Sequence, residues 1–122
     1  MDKQKALVVD DSDSMRYVVA HYLEEAGYEV SQATNGIEGL NLANEEHFDV
    51  IITDINMPVM NGYDFIQETR KTLKNKHSPI LTLTLKSSSD DKEKGRKAGA
   101  TGWLVKPFND KTLLNVIRKF SV

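Results

Sequence analysis

Five residues in this chain are of types that could together handle a phosphoryl group: Asp10, Asp11, Asp54, Thr84 and Lys106. Each sits at the carboxyl side of a short apolar run: Ala6-Leu7-Val8-Val9 for Asp10 and Asp11, Val50-Ile51-Ile52 for Asp54, Ile80 to Leu85 for Thr84, and Trp103-Leu104-Val105 for Lys106. Taken singly, each has an ordinary explanation. Asp11 or Ser12 can cap a helix, Asp54 can be a polar strand end, and Lys106 a solvated lysine. Taken together they do not. Two like charges ~4 Å apart repel by about 4 kcal/mol at an effective dielectric near 20, so three clustered carboxylates need a cation. A hard divalent ion takes oxygen ligands, and magnesium tolerates one or two carboxylates plus waters. A carboxylate can attack phosphorus to give an acyl phosphate. Magnesium and Lys106 would neutralise the phosphoryl oxygens, and the Thr84 hydroxyl could donate to one of them. Asp54 is the best nucleophile, because its strand is expected at the sheet centre, whereas Asp10 and Asp11 are better placed to hold metal.

That convergence requires a particular set of elements. An unalternating run of the length of residues 6–9 suits a strand buried on both faces. From Met15 the period becomes helical: Met15, Val18, Val19, Tyr22, Leu23 and Ala26 make one stripe, closed by Gly27. Tyr28 to Ala33 reads as a weaker strand, and Ile37, Leu40 and Ala43 mark a short helix. Phe48 to Thr53 is a buried strand ending at Asp54. The loop 57–62 precedes a helix with Phe65, Ile66, Thr69 and Leu73 inward. Pro79 opens the strand Ile80 to Leu85. Residues 87–91 offer several N-caps, Asp90 with Glu93 among them, for a helix running to Gly99. A strand over 103–105 and a helix presenting Leu113, Val116, Ile117 and Phe120 complete the chain. Five strands alternating with five helices imply an α/β fold with a parallel sheet and right-handed crossovers. Ligands in such sheets bind beyond the carboxyl ends of the strands, which is where the five residues fall.

Composition narrows the function. The chain has 122 residues, enough for one ordinary domain. Sixteen basic against 18 acidic residues give a net charge of −2, without the basic excess of a nucleic-acid binder. There is no cysteine, and the three histidines are scattered, which argues against disulfides, thiolate chemistry and a multi-histidine metal site. No apolar run approaches a membrane span, and no secretory signal is visible, so the expected location is cytoplasmic with no membrane insertion. Neither GxxxxGK[ST] nor GxGxxG occurs. A calcium loop starting at Asp11 fails, because Arg16 and Tyr22 stand where it needs Gly and Glu.

The order of motifs resembles the response-regulator receiver domains, most closely the single-domain chemotaxis regulators of the CheY type. The marks are Val8-Val9-Asp10-Asp11-Ser12 with Met15-Arg16, Thr53-Asp54-Ile55-Asn56-Met57-Pro58 with Asn61-Gly62, Thr84, Ala98-Gly99-Ala100, and Val105-Lys106-Pro107-Phe108. The resemblance covers the whole chain. It implies a (βα)5 doubly wound sheet of order 2-1-3-4-5, the order by which the CheY fold itself is described. It implies Asp54 as phosphoacceptor, Asp11 as direct magnesium ligand with Asp10 acting mainly through water, and the Asn56 backbone carbonyl completing the metal site. Manganese is expected to substitute for magnesium. Lys106 matches the lysine that contacts the phosphoryl group, Thr84 the switch hydroxyl and Trp103 the aromatic switch position. Thr82 is a rival for the hydroxyl role, on the same face but one pleat further from the carboxyl end. Pro107 matches a proline preceded by a cis peptide in this family.

Three positions depart from the family pattern. Leu85 stands where a small residue is usual and should overhang the site. Trp103 replaces the commoner Tyr or Phe. Lys86, with Asn56, flanks the expected water path. The implied function is a phosphorylation switch rather than an enzyme: a sensor histidine kinase of the CheA type donates to Asp54, and the receiver supplies much of the catalysis of its own phosphorylation and hydrolysis. The surface of the fourth helix, fifth strand and fifth helix then binds a target such as a flagellar motor switch component. A phosphatase is a further expected partner. One receiver domain over 1–122, a monomer with no output domain, is the expected organisation. Two rivals remain. A phosphohydrolase of the haloacid-dehalogenase type would need its nucleophile after the first strand and a cap domain. A receiver-like interaction module would never be phosphorylated.

Overall fold

The computed structural model describes residues 3–84 and 89–120. Ten elements alternate: β1 (Lys5–Val9), α1 (Asp13–Glu25), β2 (Glu29–Ala33), α2 (Gly36–Glu45), β3 (Val50–Asp54), α3 (Gly62–Thr69), β4 (Ile80–Thr84), α4 (Ser89–Ala98), β5 (Gly102–Val105) and α5 (Asp110–Phe120). The strands form one parallel sheet in the order β2-β1-β3-β4-β5. The three inner strands carry no outward polar alternation because helices cover both faces. Leu7, Val8, Ile51, Ile52, Leu81 and Leu83 are each 0% exposed.

The pleat sends alternate residues to two cores. Ala6, Val8, Ile52, Leu83, Leu104 and Leu113 belong to one, with α1 and α5. Leu7, Val9, Ile51, Phe65, Ile66 and Ala98 belong to the other, with α2, α3 and α4. At the sheet edge β5 alternates buried and exposed, so Gly102 and Leu104 face inward while Trp103 and Val105 face out. Among the described residues no helix is long and apolar enough to cross a membrane.

Four helical stripes differ from the periodicity reading: Ile37 of α2, 40% exposed, and Phe120 of α5, 37% exposed, lie at the surface, and α1 and α3 differ more widely. In α1 the buried face is Arg16, Val19, Ala20 and Leu23. Val18 is 43% exposed and Ala26 is also at the surface. Arg16 is drawn inward because its guanidinium meets the buried Asp10 carbonyl, a pull that apolar periodicity ignores. For α3 the difference is Leu73, which is 95% exposed rather than inward, because the helix ends at Thr69. The next residue, Arg70, turns the chain: its guanidinium donates to the carbonyls of Ser78 at 2.6 Å and Gly99 at 2.9 Å. Gly27 closes α1 at φ +99°, a left-handed conformation that glycine adopts without steric cost.

Candidate functional site

Strand register builds the site. Val9 pairs with Ala33 on one side and Thr53 on the other. Asp10 and Asp54 are therefore each one residue beyond a paired position on adjacent central strands. Asp54 is itself opposite Leu83, and Thr84, which ends β4, is opposite Val105. The Lys106 amide donates to the Thr84 carbonyl at 2.7 Å, which fixes where the lysine leaves the sheet. The Lys106–Pro107 peptide that follows is cis.

Asp10, Asp11 and Asp54 each offer a carboxylate oxygen within 4.8 Å of the others, the arrangement of a possible cation site. Their burial is graded: Asp10 is buried, Asp54 half-buried and Asp11 exposed. Lys106 Nζ lies 3.4 Å from Asp54 Oδ1, and both side chains are 15% exposed. Asp54 Oδ1 also accepts from the Ile55 amide at 2.8 Å. Asp10 Oδ1 accepts from the Ser12 amide at 2.9 Å, whereas its Oδ2 is buried with no hydrogen-bond partner. Burial pushes the Asp10 carboxyl above its ordinary range; the charges of Asp54 and Asp11 push the same way, against the Ser12 amide and Lys106. An orphaned buried carboxylate oxygen among like charges is costly, and the donors are all hard oxygen. The set fits a hard dication such as magnesium.

Short-range geometry shapes the rest of the rim. Ser12 caps α1 by accepting from the Met15 amide at 3.3 Å, so of the two candidate caps Ser12 takes the role and Asp11 is left for the site. The loop after β3 folds back on itself through Gly62, whose amide donates to the Ile55 carbonyl at 2.8 Å. A Cβ on Gly62 would lie 2.3 Å from the Asp54 carbonyl oxygen, so a side chain there would displace the acceptor strand. Asn56 is exposed on this loop. Val59 holds φ +72° between the Pro58 carbonyl and the Met60 amide that it connects, 2.8 Å apart.

The remaining sequence-derived positions divide. Thr84 is half-buried at the carboxyl end of β4, while Thr82 is 5% exposed beneath α4 and opposite Trp103. Trp103 faces outward at 41% exposure, with Lys92 Nζ 4.7 Å above its ring centroid. Leu85 and Lys86 lie outside the described residues. Sequence reasoning gave Arg16 no role of its own. Its spacing, three residues after Asp13 and one turn after the Ser12 cap, was the available signal.

Residues 6–118 match the response regulator receiver domain family. The chain belongs to that family. Among solved structures, this receiver is similar to chemotaxis protein CheY4 of Vibrio cholerae, with TM-score 0.94, 49% identity, and coverage of 98% of this chain and 99% of that one. It is also similar to the receiver domain of sensor histidine kinase PA1611 from Pseudomonas aeruginosa, with a magnesium ion coordinated in its active site cleft. There the TM-score is 0.90 and the identity 28%, over 98% of each chain. Among curated proteins, it is 36% identical to PilH of Pseudomonas aeruginosa over 113 residues, 93% of each. It is 37% identical to "Probable transcriptional regulator ycf29" of Pyropia yezoensis over 93% of this chain. The receiver spans about half the length of that relative, 51%.

Proposed function

We propose that this receiver is a magnesium-dependent phosphorylation switch with Asp54 as its phosphoacceptor. One observation carries the reading: three carboxylates meet at the end of the central strands with a lysine ammonium 3.4 Å from Asp54 Oδ1. A sensor histidine kinase is the donor. An Asp54 carboxylate oxygen attacks phosphorus, the P–N bond to the phosphohistidine breaks, and the imidazole departs with its electron pair, taking up a proton. Hydrolysis reverses the gain: water attacks phosphorus, inorganic phosphate leaves and the Asp54 carboxylate is restored. Lys106 stabilises charge on the phosphoryl oxygens, and Thr84 donates its hydroxyl to one of them. Asp11, Asp54 and the Asn56 carbonyl, with Asp10 mainly through water, would hold magnesium, or manganese in its place. Magnesium supplies the charge neutralisation that lets an anionic carboxylate approach an anionic phosphoryl group.

Phosphorylation biases a two-state equilibrium read at Thr84 and Trp103. The face formed by α4, β5 and α5 passes the change to a target protein in the cytoplasm. The likeness to CheY4 over nearly its full length supports a chemotaxis role, with a flagellar motor switch component as target and a phosphatase as second partner. Position argues against the phosphohydrolase alternative, since Asp54 ends β3 rather than β1. Retention of all five polar groups argues against an unphosphorylated module.

The test is incubation with magnesium and acetyl phosphate, followed by mass spectrometry. One base-labile phosphoryl adduct is expected, lost in Asp54→Asn and without added magnesium. An unmodified wild-type protein overturns the reading, and turnover of phosphate esters beyond one equivalent would favour the hydrolase.

A further inference from the structure

The carboxylates that would hold a cation are the obvious actors at the carboxyl edge of the sheet. What holds them in place is less obvious. Asp10 and Asp11 lie on the three-residue connection between β1 and α1, and a connection of that kind has no ladder to fix its side chains. Asp10 is nonetheless pinned at three points. Its amide donates to the Ala33 carbonyl at 3.1 Å, its Oδ1 accepts from the Ser12 amide at 2.9 Å, and its carbonyl accepts from Arg16 Nη1 at 2.9 Å. Only Oδ2 is left unpartnered.

The first contact is backbone to backbone, and the second is made by Asp10's own carboxylate to a nearby amide; neither needs another residue's side chain. The third depends on one side chain. Arg16 is 6% exposed and lies on the buried face of α1. Each guanidinium edge has its own acceptor: Nη1 the Asp10 carbonyl, Nη2 the Asp13 carboxylate at 2.6 Å, and Nε the Gln32 side-chain carbonyl at 3.2 Å. Asp13 comes from the first turn of Arg16's own helix and Gln32 from the neighbouring strand β2, so the fork is held from within α1 and from the sheet. A planar guanidinium can serve three fixed acceptors at once; a lysine ammonium on a flexible stem is a poor replacement in such a site.

We propose that Arg16 is a positioning residue for the metal site, holding the Asp10 carbonyl so that the carboxylates of Asp10 and Asp11 keep their cation-binding geometry. This inference rests on the metal-binding reading above. It also runs against simple electrostatics. Arg16 is a cation close to a cation site, so charge alone would make its removal tighten magnesium binding. Positioning makes the opposite prediction. Groups that orient metal ligands from behind typically cost 10- to 100-fold in metal affinity when removed.

The experiment is calorimetric titration with magnesium chloride alone, on wild type, Arg16→Met, Arg16→Lys and Asp11→Asn, with urea unfolding in chelator as the folding control. Both Arg16 variants are expected to weaken magnesium binding about 10-fold or more. Arg16→Lys should do so although its charge is kept. Asp11→Asn should lose most binding. If Arg16→Met binds magnesium as tightly as wild type, or tighter, while Asp11→Asn is impaired, the positioning role is overturned and the metal site stands. If Arg16→Met does not fold, Arg16→Lys decides: unchanged affinity overturns the proposal. If Asp11→Asn binds like wild type, the metal-site reading fails, and the proposal with it.

Discussion

Lys106 Nζ lies 3.4 Å from Asp54 Oδ1, with each side chain 15% exposed, although the two residues are 52 positions apart in the chain. The lysine is brought there by the β4–β5 ladder and by its own amide bond to the Thr84 carbonyl. An ammonium in that position stabilises charge on an incoming phosphoryl group and, as a cation beside the carboxylates, opposes metal binding. Lys106→Met should therefore slow adduct formation from acetyl phosphate by about 100-fold, the usual loss when one preorganised charge stabiliser is removed. Magnesium affinity should stay the same or rise, since a neighbouring positive charge has gone. Rate measurements by mass spectrometry, set beside magnesium calorimetry, check both halves.

Asp10 supplies a pH dependence whose sign can be worked out. Its carboxyl is raised above the ordinary carboxylate range by burial and by Asp54 and Asp11. A raised native value means that this group's contribution to stability is fully present below the unfolded value near 4 and is lost as pH rises through the native value. Asp10→Asn keeps the acceptor for the Ser12 amide and removes the charge. In chelator, the variant should match wild type near pH 3 and exceed it in stability by an increasing margin towards pH 7. Urea unfolding at stepped pH measures the difference, and a margin that shrinks as pH rises refutes the prediction.

Gly62 tolerates no side chain, because a Cβ there would meet the Asp54 carbonyl oxygen at 2.3 Å and the Ile55 Cα at 2.8 Å, both main-chain atoms. Backbone cannot give way as a flexible side chain can. Gly62→Ala should cost about 3 kcal/mol of stability, at the upper end of overpacking effects, and should also reduce phosphoryl incorporation because the acceptor residue moves. Urea unfolding and the adduct assay report the two effects separately.

Val59 has the reverse problem. It is 83% exposed and held at φ +72°, where a β-branched residue is strained. Glycine reaches positive φ with no Cβ to clash, so Val59→Gly should gain about 1 kcal/mol. An unfolding midpoint unchanged or lowered in the variant contradicts this.

The alternation of apolar runs and helical stripes was enough to order ten elements and to bring five polar residues to one edge, because strand ends in a parallel sheet necessarily share a side. What escaped was set by polar contacts between segments far apart in sequence. Arg16 turned inward for the Asp10 carbonyl and displaced the apolar stripe by a fraction of a turn. Asn75, fully buried, donates to the carbonyls of Ala43 and Glu46 and accepts from the Phe48 amide and Ser78, joining two loops at the other end of the sheet. No periodicity marks such a residue. The outward setting of Trp103 follows from the pleat of β5 at the sheet edge, and the Lys92 ammonium over its ring is a contact no pattern announces.

That setting has a practical consequence. Trp103 is the chain's single tryptophan, and it stands at the seam between α4 and the last strand with an ammonium over its ring. Tryptophan fluorescence from the protein thus originates at one known position, and it responds to the charge found there. Rearrangement along this seam can be followed in unlabelled material, in real time, by a spectrometer alone.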